Sequence, residues 1–353
     1  MDKQSGVDSS TTDRPDQGPL DNSVLHIGNT AGVASIIAEK QRDLGMDSTV
    51  VVFNEETYEF GADHILQVRP ESKYLPMYLI YSIELFNKVK SIQNMISSFD
   101  VIHFHYRSVI SVPMFFIPYG LDLPLWKAQG KRIVMHFHGS DIRGKGVQPL
   151  YQKFPDQILV STPDLLEWAP DSATWVPRPI DASEFTPHYP QPNNSDPIKI
   201  VHAPSSREKK GTKHVQRAAS NLKNQGYDIN LQLVENTPRS EAIEIYKKAD
   251  IIIDQIDTDH GMYGMFSIEA MALGKPVIAS LGESAKKHIP DNLPIVSATS
   301  KNLTKTISNI IEENCIYDLG RLGRIYVEET HDVQKVVEKY NRSYITSNIP
   351  PRN

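Results

Sequence analysis

One cysteine in 353 residues, Cys315, is the scarcest feature of this chain. It excludes an internal disulfide and any zinc site built from paired cysteines, and it suits a reducing compartment. No run of about 18 apolar residues occurs, so a membrane-spanning helix is not expected. Met1 to Asn22 lack the apolar core of a secretory leader; rich in Asp, Ser, Thr, Gln and Gly, they read as a disordered tail. Basic charge is not in excess either. There are 37 Lys and Arg against 43 Asp and Glu, a net charge of −6, so nucleic acid is not an expected partner. The rest is ordinary for a cytoplasmic protein, 39% hydrophobic and 23% charged, at a length that suits two domains.

The chain alternates strand and helix twice. Ser23–Gly28 reads as a strand, Asn29–Gly32 as a turn and Val33–Leu44 as a helix stopped by Gly45, with a second strand at Thr49–Phe53. Further strands fit Asp100–His105, Arg132–His138 and Gln157–Val160. Thr186–Pro197 is rich in Pro and Asn and reads as a linker. The alternation restarts with a strand at Ile198–Ala203, a loop carrying Arg207, Lys209 and Lys210, and a helix at Lys213–Asn224. Strands at Asn230–Glu235 and Ile251–Ile253 follow, and the last helix is expected at Val333–Ile345. This pattern predicts an α/β fold: a domain at 23–185, a linker at 186–197, a second domain at 198–326 and a C-terminal helical segment at 327–353.

The most informative stretch is 254–278. Gly261 and Gly264 break regularity where a backbone could approach a ligand. A helix should then run from about Met265 to Leu273, with Gly274 at its C′ position and Pro276 preventing continuation. Its N-terminus offers free N–H groups and partial positive charge to an anion, and Glu269 could grip a hydroxyl. A loop that wraps phosphate beside such an acid suggests a nucleotide-sugar pocket.

Glu269-Ala270-Met271-Ala272-Leu273-Gly274-Lys275-Pro276-Val277-Ile278 resembles the donor-site signature of the GT-B glycosyltransferases of retaining family 4. The first glutamate of that signature would fall on Gly261, a departure. Asp100-Val101-Ile102-His103-Phe104-His105, His138-Gly139-Ser140-Asp141 and the Lys210-Gly211 loop resemble family segments in the same order. The resemblance implies two Rossmann-like parallel-sheet domains facing across a cleft. It implies transfer of a sugar from a nucleoside diphosphate to a hydroxyl with retention of configuration, and no cofactor or bound metal. Asp257-Thr258-Asp259 has the spelling of a metal motif but reads as loop. In this scheme Lys210, helped by Arg207, stabilises the leaving diphosphate, and His138 positions the sugar. Gly32, Gly264, Met265 and Phe266 join Lys210 and Glu269 around the donor. His105, Arg107 and Asp141 face the acceptor, which could be a sugar, a lipid-linked molecule or another hydroxyl compound. With its first glutamate lost, the chain could instead be a non-catalytic nucleotide-sugar binder; an epimerase or phosphorylase of the same fold is a further alternative.

One apolar region leaves a choice open. Val109–Trp126 is broken by proline and too short to span a bilayer. It reads as buried; the other reading is a surface for peripheral membrane contact at the inner face, with Phe115, Phe116 and Trp126 as anchors. Leu75–Phe86 poses the same question.

Overall fold

The computed structural model describes residues 22–53, 61–69, 75–111, 117–191, 196–257 and 261–345. The expected tail, Phe115, Phe116 and Asp259 lie outside these residues. The first half holds seven strands: β1 (Val24–Ile27), β2 (Ser48–Phe53), β3 (His64–Leu66), β4 (Val101–His105), β5 (Arg132–Phe137), β6 (Gln157–Val160) and β7 (Thr174–Trp175). They form one parallel sheet in the order β3-β2-β1-β4-β5-β6-β7. β1 and β4 are buried at every position, as parallel strands covered on both faces are. Helices α1 (Val33–Asp43), α2 (Met77–Ile96), α3 (Leu123–Ala128) and α4 (Pro149–Lys153) connect them.

The second half repeats the plan with five strands, β8 (Ile198–His202), β9 (Ile229–Leu233), β10 (Ile251–Ile253), β11 (Val277–Ala279) and β12 (Val296–Ser297). Their order is β12-β11-β10-β8-β9, all parallel. Its helices are α5 (Thr212–Asn224), α6 (Arg239–Lys247), α7 (Met265–Ala272), α8 (Glu283–Lys286), α9 (Leu303–Glu312) and α10 (Ile316–Tyr326). The expected pair of parallel-sheet domains is present. In each sheet the strand order reverses direction once, between β1 and β4 and between β8 and β10. Open parallel sheets bind ligands beyond the carboxyl ends of the strands at such a point, which directs attention to the segments after those four strands.

After α10 a π-helical turn, Val327–His331, leads into α11 (Val333–Ile345). Val336, Val337, Tyr340 and Tyr344 of α11 are buried against Val24, Val33, Ile37, Val101 and Val134, so the last helix completes the core of the first domain. The chain therefore passes between domains twice, and the two passes are bonded to each other. Ile180 N–H donates to His331 O and Val333 N–H to Ile180 O, both at 2.9 Å. His331 Nδ1 donates to Arg178 O at 2.9 Å, which leaves Nε2 to accept from Tyr263 Oη at 3.1 Å. Lys275 is buried, and its ammonium donates to His188 O in the linker; burial pulls its pKa down to about 8.

The two apolar stretches differ. In the described part of the first, Val109, Leu123 and Trp126 are buried, with Trp126 Nε1–H donating to Asp122, while Leu121 and Leu125 are exposed. In α2, by contrast, Met77, Tyr78, Leu79, Ile83 and Phe86 are exposed; Ile92 and Ile96 join the core beneath the sheet, and Ile80 is also buried. Among the described residues no helix is long and apolar enough to cross a membrane.

Candidate functional site

In the second domain the site starts with Asp254, the residue after β10, which is 1% exposed. Its Oδ1 takes Lys210 Nζ at 2.7 Å, and its Oδ2 takes Ser267 Oγ at 2.7 Å and Gly264 N–H at 3.4 Å. One buried carboxylate thus ties the lysine of the loop after β8 to the N-terminus of α7. Lys210 is placed there by a tight turn. Gly211 follows at φ 67°, and a Cβ on it would collide with Ile256 O, so only glycine fits. The N–H groups of Met265, Phe266 and Ser267 open α7 and have no acceptor within the helix; they lie beside the ammonium.

The other charged candidates are paired. Arg207, 61% exposed at its side chain, holds Glu235 with Nε to Oε1 at 2.8 Å. Glu269 accepts from Arg239 Nε at 3.0 Å. Burial raises the Glu269 pKa, and Arg239 opposes that rise. Gly261 adopts φ 49°, and a Cβ there would collide with the backbone of Gly282. The missing first glutamate is therefore built into this chain's path. Tyr263 cannot replace it, because its hydroxyl is buried against Tyr326 and His331. Asp257 Oδ1 is taken by Ser300 N–H at 2.9 Å.

The first domain contributes a different chemistry. His26 on β1, His103 and His105 on β4, and His136 on β5 stand in register across three adjacent strands, and His138 follows β5. All five are buried. Gln41 Oε1 accepts from Ser48 Oγ at 2.8 Å and from His26 Nε2 at 2.9 Å, so His26 Nδ1 is an acceptor. It faces His105 Nε2 at 3.1 Å, and His105 Nδ1 faces His138 Nε2 at 3.4 Å. The protons therefore run one way, from His138 through His105 and His26 to Gln41. His103 meets Tyr344 Oη at 2.8 Å and His136 meets Tyr340 Oη at 3.3 Å. Desolvation holds these rings neutral: it brings His26 down to about 4, and, joined by Arg178, His138 to about 3. Two overlapping trios, His26, His103, His105 and His105, His136, His138, bring nitrogens within 4.8 Å of one another and have the make-up of a metal-ligand set.

His138 sits at the rim of this stack. Asp141 holds its loop, with Oδ2 accepting from His138 N–H at 2.8 Å and Oδ1 from Gly139 and Ile142 N–H at 2.7 and 3.1 Å. Arg178, half-buried, donates to His138 O at 3.1 Å. The expected acceptor-side residues separate here. His105 is inside the stack, Asp141 is the loop's organiser at the edge of a cavity, and Arg107 lines that cavity in the open. Gly32, at φ 75°, is the N-cap of α1. Asp254, Arg239, His26 and His136 carry no sequence expectation, whereas His105, expected on the acceptor side, lies within the stack. Period-two histidines on adjacent strands were the available signal.

No protein-family model matches the chain, and no curated protein matches it. Solved structures do. HepE from Anabaena, in complex with UDP and glucose, superposes with a TM-score of 0.62 at 12% identity, covering 92% of this chain and 99% of that one. A glycosyltransferase from Rickettsia africae gives 0.61 at 17% identity, covering 93% and 100%. A UDP-GlcNAc 2-epimerase from Neisseria meningitidis, bound to UDP-GlcNAc, gives 0.55 at 13%, covering 91% and 99%. The fold is GT-B. At these identities the likeness speaks for the GT-B architecture, and the chemistry has to be argued from the site.

Proposed function

We propose that this protein is a glycosyltransferase that moves a sugar from a nucleoside diphosphate to a hydroxyl acceptor, with retention and without a resident metal. The observation that carries this reading is Asp254, which sets an ammonium and a helix N-terminus side by side at the switch point of the second sheet. A diphosphate at the free N–H groups of α7 lies within reach of Lys210, which neutralises charge on the departing nucleotide. Glu269 exchanges Arg239 for the ribose hydroxyls, and His138, its Nε2–H committed to His105, turns Nδ1 to a sugar hydroxyl as acceptor. Arg207 supports the diphosphate from the rim. HepE and the epimerase carry UDP or a UDP-sugar in their solved complexes, which supports a nucleotide-sugar donor.

Calorimetric titration with UDP, GDP and ADP and their sugar conjugates, without metal, tests the donor site. One nucleotide should bind in the micromolar range and weaken about 10- to 100-fold in Glu269→Ala. No binding to folded protein would sink the reading. The glycine forced at position 261 favours a second reading, a nucleotide-sugar binder without turnover. Tight binding with no product over an acceptor panel would support that one, and release of an epimerised free sugar would point to the epimerase class.

A further inference from the structure

A cavity of about 190 Å³ opens at the carboxyl ends of β4 and β5, beside the His138 loop. Its walls are aromatic, from Tyr119, Phe137 and Tyr151, and its rim carries Arg107 and Lys145. Four cations lie in this neighbourhood, and two are already committed. Arg143 is paired with Asp164 at 2.7 Å, and Arg178, half-buried, donates to His138 O at 3.1 Å. Arg107 lies over the ring of Tyr106, 4.9 Å from its centroid, and Lys145 spends one donor on Ser140 O at 3.0 Å, keeping two. The one carboxylate in the lining, Asp141, has its charge offset by three backbone N–H groups.

Tyr106 is held at φ 84°, a left-handed conformation that is strained for a bulky residue. Its N–H donates to His136 O at 2.9 Å, and its hydroxyl meets Ser140 Oγ at 3.2 Å. Arg107 follows this residue and lines the cavity.

We propose that the acceptor of this enzyme carries an anionic group, a phosphate or carboxylate, close to the hydroxyl that receives the sugar, and that Arg107 and Lys145 hold that group here. This rests on the transferase reading above. The aromatic walls take the body of the acceptor, and the two cations fix the end that bears charge.

Three probes test it by calorimetry: glucose 1-phosphate, its undecyl phosphodiester and the neutral undecyl glucoside. At least one phosphate probe should bind ten times or more tightly than the glucoside and weaken with salt. The double variant Arg107→Gln, Lys145→Gln should lose that preference while melting as the parent does. Equal binding of glucose 1-phosphate and the diester assigns a soluble acceptor; binding of the diester alone assigns a lipid headgroup. A glucoside that binds as well as the phosphates, a double variant that keeps the preference, or no binding of any probe would overturn the proposal. So would displacement of the phosphate probes by UDP, which would hand the pocket to the donor. Nucleotide titration of the same samples separates the two failures, because a charge preference without nucleotide binding leaves the anion pocket standing while the donor reading falls.

Discussion

The two domains are both doubly wound parallel sheets, with different strand orders, and they place different polar groups around their switch points. The first keeps five imidazoles uncharged, passing protons between rings and tyrosine hydroxyls beneath α11. The second uses full charges in pairs, Lys210 with Asp254, Arg207 with Glu235 and Arg239 with Glu269. A neutral network costs less to bury than charges do, even with His103 Nε2 and His136 Nε2 left without a hydrogen-bond partner, and has no charge to offer a ligand. Ion pairs at a rim can exchange one partner for a diphosphate or a ribose. The domain with exchangeable charges is the one suited to a charged donor, and the neutral one is suited to orienting the sugar.

Acid should break this contrast most strongly. The buried histidines stay neutral in the folded protein, whereas an unfolded chain protonates them below about pH 6.5. Below that pH the unfolded state binds more protons, so stability is complete above 6.5 and is lost as pH falls toward the folded values. Those are about 4 for both His26 and His331. At ~1.4 kcal/mol per pH unit for each group, His26 and His331 together should cost about 5 kcal/mol by pH 4.5. Denaturant melts from pH 7.5 to 4.5 measure this, and a flat profile would show that the rings are not buried neutral.

Next is Lys210→Ala, expected to lower turnover about 100- to 1000-fold, the scale for one preorganised group on developing charge. Because it strands buried Asp254, its melting temperature should fall too, so nucleotide binding by the folded fraction must be measured beside the rate. Intact turnover would remove the leaving-group role. Glu269→Ala should weaken the preferred nucleotide about 10- to 100-fold, as loss of hydrogen bonds to a charged group does. Tyr344→Phe removes the hydroxyl on His103 and should cost about 1 kcal/mol of stability with unchanged nucleotide affinity, which sharpens the division between the buried network beneath α11 and the donor site of the second domain. Arg207→Ala should have the smallest effect, a few-fold at most in KM, because an exposed ion pair is largely screened.

Much of this architecture was legible in the sequence where periodicity and stop signals agreed. α7 ends at the Gly274 stop, α11 spans Val333–Ile345 as its apolar spacing indicates, and Thr212–Asn224 differs by one residue from the expected helix. α10 was not read, because Gly320 and Gly323 argue against a helix. They are there for packing: a Cβ on Gly320 would strike Gly274 O, and one on Gly323 would press on Met271, so α10 lies against α7 only with both. The site was legible in part. Lys210, Glu269 and His138 were found because they sit in recognisable segments. Asp254 and Arg239 were not, since their roles come from partners 44 and 30 positions away. The histidine stack needed strand register, which a single sequence does not contain.

The paired passage between the domains has a mechanical consequence. Residues 178–180 and 331–333 cross the boundary bonded to each other, as a two-ply strip. Such a strip can twist about its own length and resists being sheared, so opening of the two halves would follow one axis instead of drifting apart. It also makes the joint redundant. A protease cut in the linker between 186 and 197 severs one ply only, and the nicked protein should still travel as a single particle on a sizing column.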